Sequence, residues 1–287
     1  MSFLIMKTKE ELIDDLLELA FAEDIGDGDH TTLSTIPADA TGKSKLLIKE
    51  EGVLSGAEMA VRTLKKLDPS VEVTVFIKDG ERVKPGDIAF IAEGPVRSLL
   101  IAERTLLNIM QRMSGVATMT GRYQDELKGL KTKVLDTRKT TPGMRLLEKQ
   151  GVKDGGGENH RIGLFDMILI KDNHIDFAGG IERAVERAKE YCKAKGKNLK
   201  IEVEARNLDD VRKLSEMEGV DRIMFDNFSP ELTAEAVKIV AGRKETESSG
   251  GITLENLRAY GEAGVDYISV GALTHSVKGL DMSFKAV

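Results

Sequence analysis

Apolar residues recur at helical spacing among acids from Thr8 to about residue 22. Leu12, Ile13, Leu16, Leu17, Leu19 and Ala20 mark one helix, with Thr8 as its N-cap. The glycine-aspartate stretch that follows, EDIGDGDHTT (23–32), fits no calcium-loop spacing and reads as a structural turn, with His30 a hydrogen-bonding loop residue. Residues 43–54 and 71–77 alternate or run apolar in strand fashion, and 57–67 between them is helical. The segment KDGERVKPGDIAFIAEG then predicts a turn, a short strand, a second turn at Pro85–Gly86 and another strand. From Ser98 to about Leu127 the pattern is helical, as two helices broken near Ser114–Gly115. Arg104, Asn108 and Arg112 fall at i, i+4 and i+8 and read as a solvated polar stripe. These elements describe an α+β domain built around an antiparallel sheet.

After Lys131 the pattern changes. Short apolar runs each end in a polar or charged residue or in glycine: KVLDTR, MILIKDNH, KIEVEAR, RIMFDNF, the weaker ETESSGG, and YISVGA. Helical stretches at 179–195, 208–217, 230–241 and 253–262 lie between most of them. Strand followed by helix, repeated, predicts parallel strands with helical crossovers. The runs are apolar at nearly every position, as expected of strands buried on both faces. With six or seven such units, closure into a (β/α) barrel is favoured over an open doubly wound sheet.

Composition narrows the function. The 287 residues carry a net charge of -6, which argues against nucleic-acid or anionic-membrane partners. The single cysteine, Cys192, excludes a disulfide framework and a cysteine-based zinc site. The opening MSFLIMKTKE has an apolar run too short for a signal-peptide core, and no stretch is long enough to span a bilayer, so a soluble cytoplasmic protein is expected. Against this acidic background, Lys131 to His174 holds nine Lys and Arg against six Asp and Glu. It also holds His160, His174 and the triplet Gly155 to Gly157, whose backbone amides could be exposed to a ligand. Such a gathering suits a small ligand with several negative charges.

In a parallel barrel the functional groups stand at the C-terminal ends of the strands. Those ends supply Asp136, Arg138 and Lys139, then Lys171, Asn173 and His174, then Glu204, Asp226 and Asn227, then Ser249, Gly250 and Gly251, and last Gly271 and Ala272. Arg138, Lys139, Arg161, Lys171 and His160 suit carboxylates. Glu204 and Asp226 suit sugar hydroxyls, a divalent cation or a developing positive charge. The SSGG and SVGA turns place small residues at strand-to-helix junctions, where backbone amides can bind phosphate. The ligand so described carries carboxylates, a sugar and a phosphate.

Several of these motifs carry a resemblance. DTRKTTPG, GGGENHRIGLFD, LIKDNHI, IEVEA, DNFSPE, SGGITLENL and DYISVGALTHS resemble the quinolinate phosphoribosyltransferase family. AEDIGDGDHTT, the KPGD turn and ERTLLNIMQRMSGVAT extend the likeness into the first half. The resemblance implies an α/β protein with an N-terminal open α/β sandwich domain, residues 1–114, completed by the C-terminal tail, and an incomplete C-terminal (β/α) barrel, residues 115–287. It implies a magnesium-dependent pentosyltransferase of NAD biosynthesis, joining quinolinate and phosphoribosyl pyrophosphate into nicotinate mononucleotide, pyrophosphate and carbon dioxide.

Carried over residue by residue, Arg138, Lys139, His160, Arg161 and Lys171 would hold the quinolinate carboxylates and part of the pyrophosphate. Glu204 and Asp226 would bind ribose and magnesium and, with Lys139, serve catalysis. Ser249, Gly250, Gly251, Gly271, Ala272 and His275 would hold the 5'-phosphate. Arg104 would reach a neighbouring subunit's site, which replaces the solvated-stripe reading and implies a homodimer, with a hexamer as a larger assembly left open. Two departures stand out: Asp154 precedes the glycine triplet where a small neutral residue is usual, and the segment between Glu204 and Asp226 is one residue longer than usual. The competing readings are a paralogous transferase-like protein of molybdate transport operons, a Schiff-base lyase using Lys171, and a non-catalytic ligand-binding barrel.

Overall fold

The computed structural model describes residues 7–287; part of the opening stretch weighed as a signal peptide, residues 1–6, lies outside them. Helix α1 (Lys9–Ile25) begins with the expected cap: Thr8 accepts from the Glu11 amide while Glu11 accepts from the Thr8 amide. It runs further than its apolar period, so the glycine-aspartate turn is shorter than read. Asp29 caps a second short helix, α2 (His30–Thr35), and His30 is its exposed first residue. There follow β1 (Thr41–Ile48), β2 (Gly52–Val53), α3 (Ala57–Leu67), β3 (Glu72–Val75), β4 (Arg82–Val83) and β5 (Ile88–Pro95).

Helix α4 (Val96–Glu126) is continuous, where the sequence suggested a break near Ser114–Gly115. Gly115 does not interrupt the helix; it admits a neighbour, since a Cβ there would collide with the Lys278 carbonyl. After it come β6 (Lys133–Leu135), α5 (Arg145–Asp154), β7 (Ile168–Ile170), α6 (Asp172–Ala178) and α7 (Ile181–Lys195). The chain continues through β8 (Ile201–Ala205), α8 (Leu208–Glu216), β9 (Arg222–Asp226), α9 (Pro230–Val240), β10 (Glu245–Ser249), α10 (Leu257–Glu262), β11 (Tyr267–Ser269) and α11 (Ala272–His275). It ends in β12 (Met282–Ala286).

These elements form two compact units. One comprises residues up to Gly121 with Thr140–Gly156 and Thr274–Val287; the other comprises Arg122–Lys139 and Gly157–Leu273. The first unit holds an antiparallel sheet in the order β12-β1-β5-β3. The tail thus adds an edge strand to β1, with Leu46 opposite Phe284. Leu46, Ile48, Phe90, Leu106, Met110 and Phe284 are among the residues of its core. Beside it, α1 packs Leu17 against Met59, Ile109, Met113 and Leu147. Burying side chains of this size contributes about 1.5–3 kcal/mol each.

The second unit is a six-stranded parallel sheet in the order β6-β11-β10-β9-β8-β7. Sequence neighbours are spatial neighbours from β7 through β11, and the first strand, β6, follows the last. A doubly wound sheet would reverse direction at its middle, so this order is that of a barrel left open between β6 and β7. Val203, Ile223, Phe225, Val211, Leu214 and Val240 are buried in this unit. No helix among the described residues is long and apolar enough to cross a membrane.

Candidate active site

Strand register decides which charged residues share the mouth of this barrel. Leu169 pairs with Glu202, Glu204 with Met224, Met224 with Glu247, and Asp226 with Ser249. Side chains alternate along a strand, so Lys171, Glu204, Asp226 and Ser249 fall on one face at the strand ends.

Glu204 is buried and occupied on both oxygens. Oε1 accepts from Lys171 Nζ at 2.6 Å and Oε2 from the Asp172 amide at 3.0 Å. The Lys171 amide in turn donates to His174 Nδ1 at 2.9 Å, fixing the first turn of α6. Asp226 is half-buried, and burial, followed by the charge of Glu204, pushes its carboxyl above the usual range. Asn227 takes a left-handed backbone (φ 56°), which asparagine tolerates better than most residues. Its amide donates to the Ser249 carbonyl at 2.8 Å and its Nδ2 to Asp226 Oδ2 at 3.0 Å. Gly250 (φ 96°) lies against it, and any Cβ there would collide with the Asn227 side chain. The two small-residue turns differ: Gly271 leads directly into α11, whereas five residues separate Gly251 from α10.

The open seam of the barrel carries the other half of the site. Glu158 bridges to Leu135 of β6; its amide donates to the Val134 carbonyl at 2.9 Å, and its carbonyl accepts from Asp136 at 3.3 Å. Fully buried Asp136 accepts from the His160 amide at 2.9 Å, so the GGGENHR loop is bound to the end of β6. Asp166 accepts from the Ile162 and Gly163 amides at 2.7 and 2.8 Å and closes the same loop. Arg161 lies half-buried between these anchors and donates to the Met167 carbonyl at 3.3 Å. Burial and the neighbouring Arg138 guanidinium hold its pKa below the ordinary arginine value. Arg138 and Lys139 are exposed after β6, and the Lys139 amide donates to Thr137 Oγ1 at 3.0 Å.

Some expectations change. The first two glycines of the triplet do not offer their amides to a ligand. Gly155 and Gly156 donate to the Gly151 and Lys153 carbonyls and finish α5, and a Cβ at Gly155 would strike the Ala117 carbonyl. Asp154 puts its carboxyl on Ser55 Oγ at 2.5 Å and Gln150 Nε2 at 2.7 Å, with burial raising its pKa. Arg112 is no part of a solvated stripe: it donates to Glu148 at 2.9 Å and to the Val277 carbonyl at 3.3 Å. Arg104 is exposed on α4, and exposed His275 ends α11 with Nδ1 2.6 Å from Ser276 Oγ.

A third group went unread in the sequence. Inside the barrel, Glu202 and Glu247 are fully buried, and His160 Nε2 stands 3.1 Å from Glu202 and 3.6 Å from Glu247. Arg222 donates to Glu247 at 3.0 Å and to Glu245 at 3.0 Å, with its guanidinium 4.2 Å from the Tyr267 ring centroid. The alternation in IEVEA, RIMFD and ETESS carried the signal, because Glu202 and Glu204, or Arg222 and Asp226, have the same parity and hence the same face. A cavity of about 620 Å³ at the opposite end of the barrel is lined by Lys131, Lys200, Asp221, Glu245 and Asp266. Its charges are largely paired with one another, Lys131 with Asp266 and Lys200 with Glu245. It lies at the N-terminal ends of the strands, the end where such folds keep stability rather than chemistry.

Comparison with known proteins assigns the family. Residues 29–114 match the quinolinate phosphoribosyl transferase N-terminal domain and residues 116–285 the C-terminal domain of the same family. The chain belongs to the quinolinate phosphoribosyltransferase family. Within that family it is 44% identical over 285 residues to the chloroplastic carboxylating nicotinate-nucleotide pyrophosphorylase of Arabidopsis thaliana, covering 94% of this chain and 81% of that one. It is 44% identical to the probable carboxylating nicotinate-nucleotide pyrophosphorylase of Bacillus subtilis, covering 93% and 91%. The crystal structure of NadC from Streptococcus pyogenes superposes with a TM-score of 0.91 at 38% identity, over 98% of this chain and 99% of that chain. The seam loop and the strand ends described above lie within the residues that match the C-terminal domain.

Proposed function

We propose that this protein transfers the phosphoribosyl group of phosphoribosyl pyrophosphate to quinolinate with loss of carbon dioxide, forming nicotinate mononucleotide in NAD biosynthesis. The carrying observation is the meeting of opposites at one mouth: Lys171 pairs with Glu204, the charge of Glu204 reaches both Arg161 and Asp226, and Arg138 lies beside Arg161. Quinolinate is a dicarboxylate, and guanidinium groups bind carboxylates bidentately. Lys139 at the end of β6 and the amides around Ser249–Gly251 and Gly271–Ala272 would receive the pyrophosphate and the 5'-phosphate, with His275 nearby.

Glu204 and Asp226 would hold magnesium together with the substrate. Two carboxylates close enough for one to raise the other's pKa form a donor set that gains by taking a divalent cation. A magnesium ion held by Glu204 and Asp226 would supply positive charge for the leaving pyrophosphate. Glu204 first has to release Lys171, which becomes free to pair with a substrate carboxylate. The two carboxylates then face the positive charge that develops at the ribose C1 as pyrophosphate departs. The pyridine nitrogen attacks from the opposite face, and its quaternary charge accepts the electron pair left when the 2-carboxylate is lost. Positioning and charge complementarity supply most of the acceleration.

The ion pair also weighs against a Schiff-base lyase, since the Lys171 amine is already engaged by Glu204 at 2.6 Å. The exposed Arg104 completes the site of a second copy in a homodimer, and the protein works in the cytoplasm. Incubation with quinolinate, phosphoribosyl pyrophosphate and magnesium yields nicotinate mononucleotide and pyrophosphate, whereas nicotinate in place of quinolinate yields little. Equal turnover of both acids, or binding of phosphoribosyl pyrophosphate with no pyrophosphate released, rules the reading out.

A further inference from the structure

The chain returns from the second compact unit to the first at two points, and one side chain of the first unit holds both. It leaves the second unit after Lys139 and again after Leu273, so Thr140 and Thr274 are the first residues of each return. The strands that end just before these points are neighbours. β6 pairs with β11, with Leu135 opposite Ser269, and the Val270 amide donates to the Leu135 carbonyl at 2.9 Å. Lys139 follows β6, and Gly271 and Ala272 follow β11. Under the function proposed above, the first segment receives the pyrophosphate and the second the 5'-phosphate of one ligand.

The side chain that holds them is Arg112 of α4. Its Nε donates to Glu148 Oε1 at 2.9 Å and its Nη1 to the Val277 carbonyl at 3.3 Å. Its Nη2 donates to Thr141 Oγ1 at 3.3 Å and to the Thr274 carbonyl. Glu148 of α5 is fully buried, and its second oxygen accepts from the Thr141 amide at 3.0 Å. A buried carboxylate needs such partners, because leaving it unpaired is costly. The pair therefore grips the first return through Thr141 and the second through Thr274 and Val277. A guanidinium suits this task, since its N–H donors lie in a rigid planar fork, whereas an ammonium presents its donors from one point. Neighbouring bonds stiffen the same region: Arg145 Nε donates to Thr140 Oγ1 at 3.0 Å, and the Leu280 amide donates to the Gln111 carbonyl at 3.0 Å.

We propose that Arg112, backed by Glu148, is a positioning residue: it fixes the spacing between the segment that carries Lys139 and the segment from Ala272 to His275, and so sets the affinity for a ligand with an anionic group at each end. Phosphoribosyl pyrophosphate is such a ligand, and this part of the inference rests on the function proposed above. A two-ended ligand gains from a fixed spacing because its second contact forms within one complex, at a high effective concentration. A ligand with a single anionic end does not depend on that spacing. Loosening the clamp therefore weakens binding of the whole substrate and spares its halves.

The test compares the whole ligand with its halves. Binding of phosphoribosyl pyrophosphate, inorganic pyrophosphate and ribose 5-phosphate, each with magnesium, is measured by calorimetry on the wild type and on Arg112→Lys. That variant keeps a cation beside Glu148 and loses the fork. It should bind phosphoribosyl pyrophosphate about tenfold more weakly and each half within about twofold of the wild type. Any other pattern, equal weakening of all three included, overturns the proposal. Hydrogen exchange read by mass spectrometry should show residues 140–148 and 274–280 both exchanging faster in the variant. A change in one segment alone, or in neither, also overturns it. Should Arg112→Lys not fold, Glu148→Gln, of the same size and without the charge, carries both comparisons. If the wild type binds no phosphoribosyl pyrophosphate, the proposed reaction and the ligand half of this inference fail together, while the exchange measurement still decides whether one clamp holds both segments.

Discussion

Glu202 and Glu204 lie two residues apart on one strand, point to one face, and are both buried, yet they live in different electrostatic circumstances. Glu204 stands at the mouth, paired to Lys171, whose side chain is 48% exposed. Glu202 is sealed among His160, Glu247 and Arg222, all of them nearly or fully buried. At the mouth, water and substrate can replace a partner, so the ion pair is exchangeable. One layer deeper nothing can replace a partner, and the same residue type becomes part of the frame. The depth of one strand repeat separates chemistry from support.

The sharpest way to break this distinction is to remove the cation of the deep layer. Arg222→Met leaves two buried carboxylates without their guanidinium and should cost about 3–5 kcal/mol of stability, read as a lowered urea midpoint. A loss below about 1 kcal/mol would mean that the interior charges are not coupled. At the mouth, Arg161→Ala should leave the urea midpoint nearly unchanged and lower kcat/KM for quinolinate by about a hundredfold. Wild-type kinetics in that variant would remove arginine from the site.

A pH series sharpens the comparison further. Burial pushes the carboxyl of Glu247 up to about 8, with the charge of Glu202 adding to it. Burial likewise raises Glu202, to about 7 against the opposing pull of Arg222. The folded state therefore binds protons more tightly than the unfolded chain. That stabilisation is complete below the ordinary glutamate pKa of 4.5 and declines as pH rises through about 7 to 8. Glu247→Gln should flatten the decline between pH 5 and 9 in denaturant titrations; an unchanged slope would place the proton elsewhere. The smallest effect belongs to the far end of the barrel, where Lys131→Ala removes an exposed pair with Asp266 and should cost less than about 1 kcal/mol with kcat unaltered.

The periodicity of the chain was enough for most elements. The capping box at Thr8, the α3 span and the succession of parallel strands all follow from local rules. The strand-end motifs likewise pointed to Lys171, Glu204 and Asp226 as one rim, because strand polarity alone sends them to one end. Where reading failed, a distant segment had intervened. Gly115 looked like a helix break because its neighbour, the Lys278 carbonyl, lies far along the chain. The glycine triplet looked like an anion cradle, but Gly155 lets α5 end against α4 and its amide is used as a cap.

What the sequence determined by itself was the alternation of strands and helices and the residue types at the strand ends, since both depend on short-range periodicity and chain direction. Only the tertiary structure decided that β6 and β7 leave a seam, that the GGGENHR loop enters it, and that Glu202, Glu247 and Arg222 surround His160. Those outcomes depend on which strands pair and in what register, and pairing brings together residues tens of positions apart that no local pattern connects.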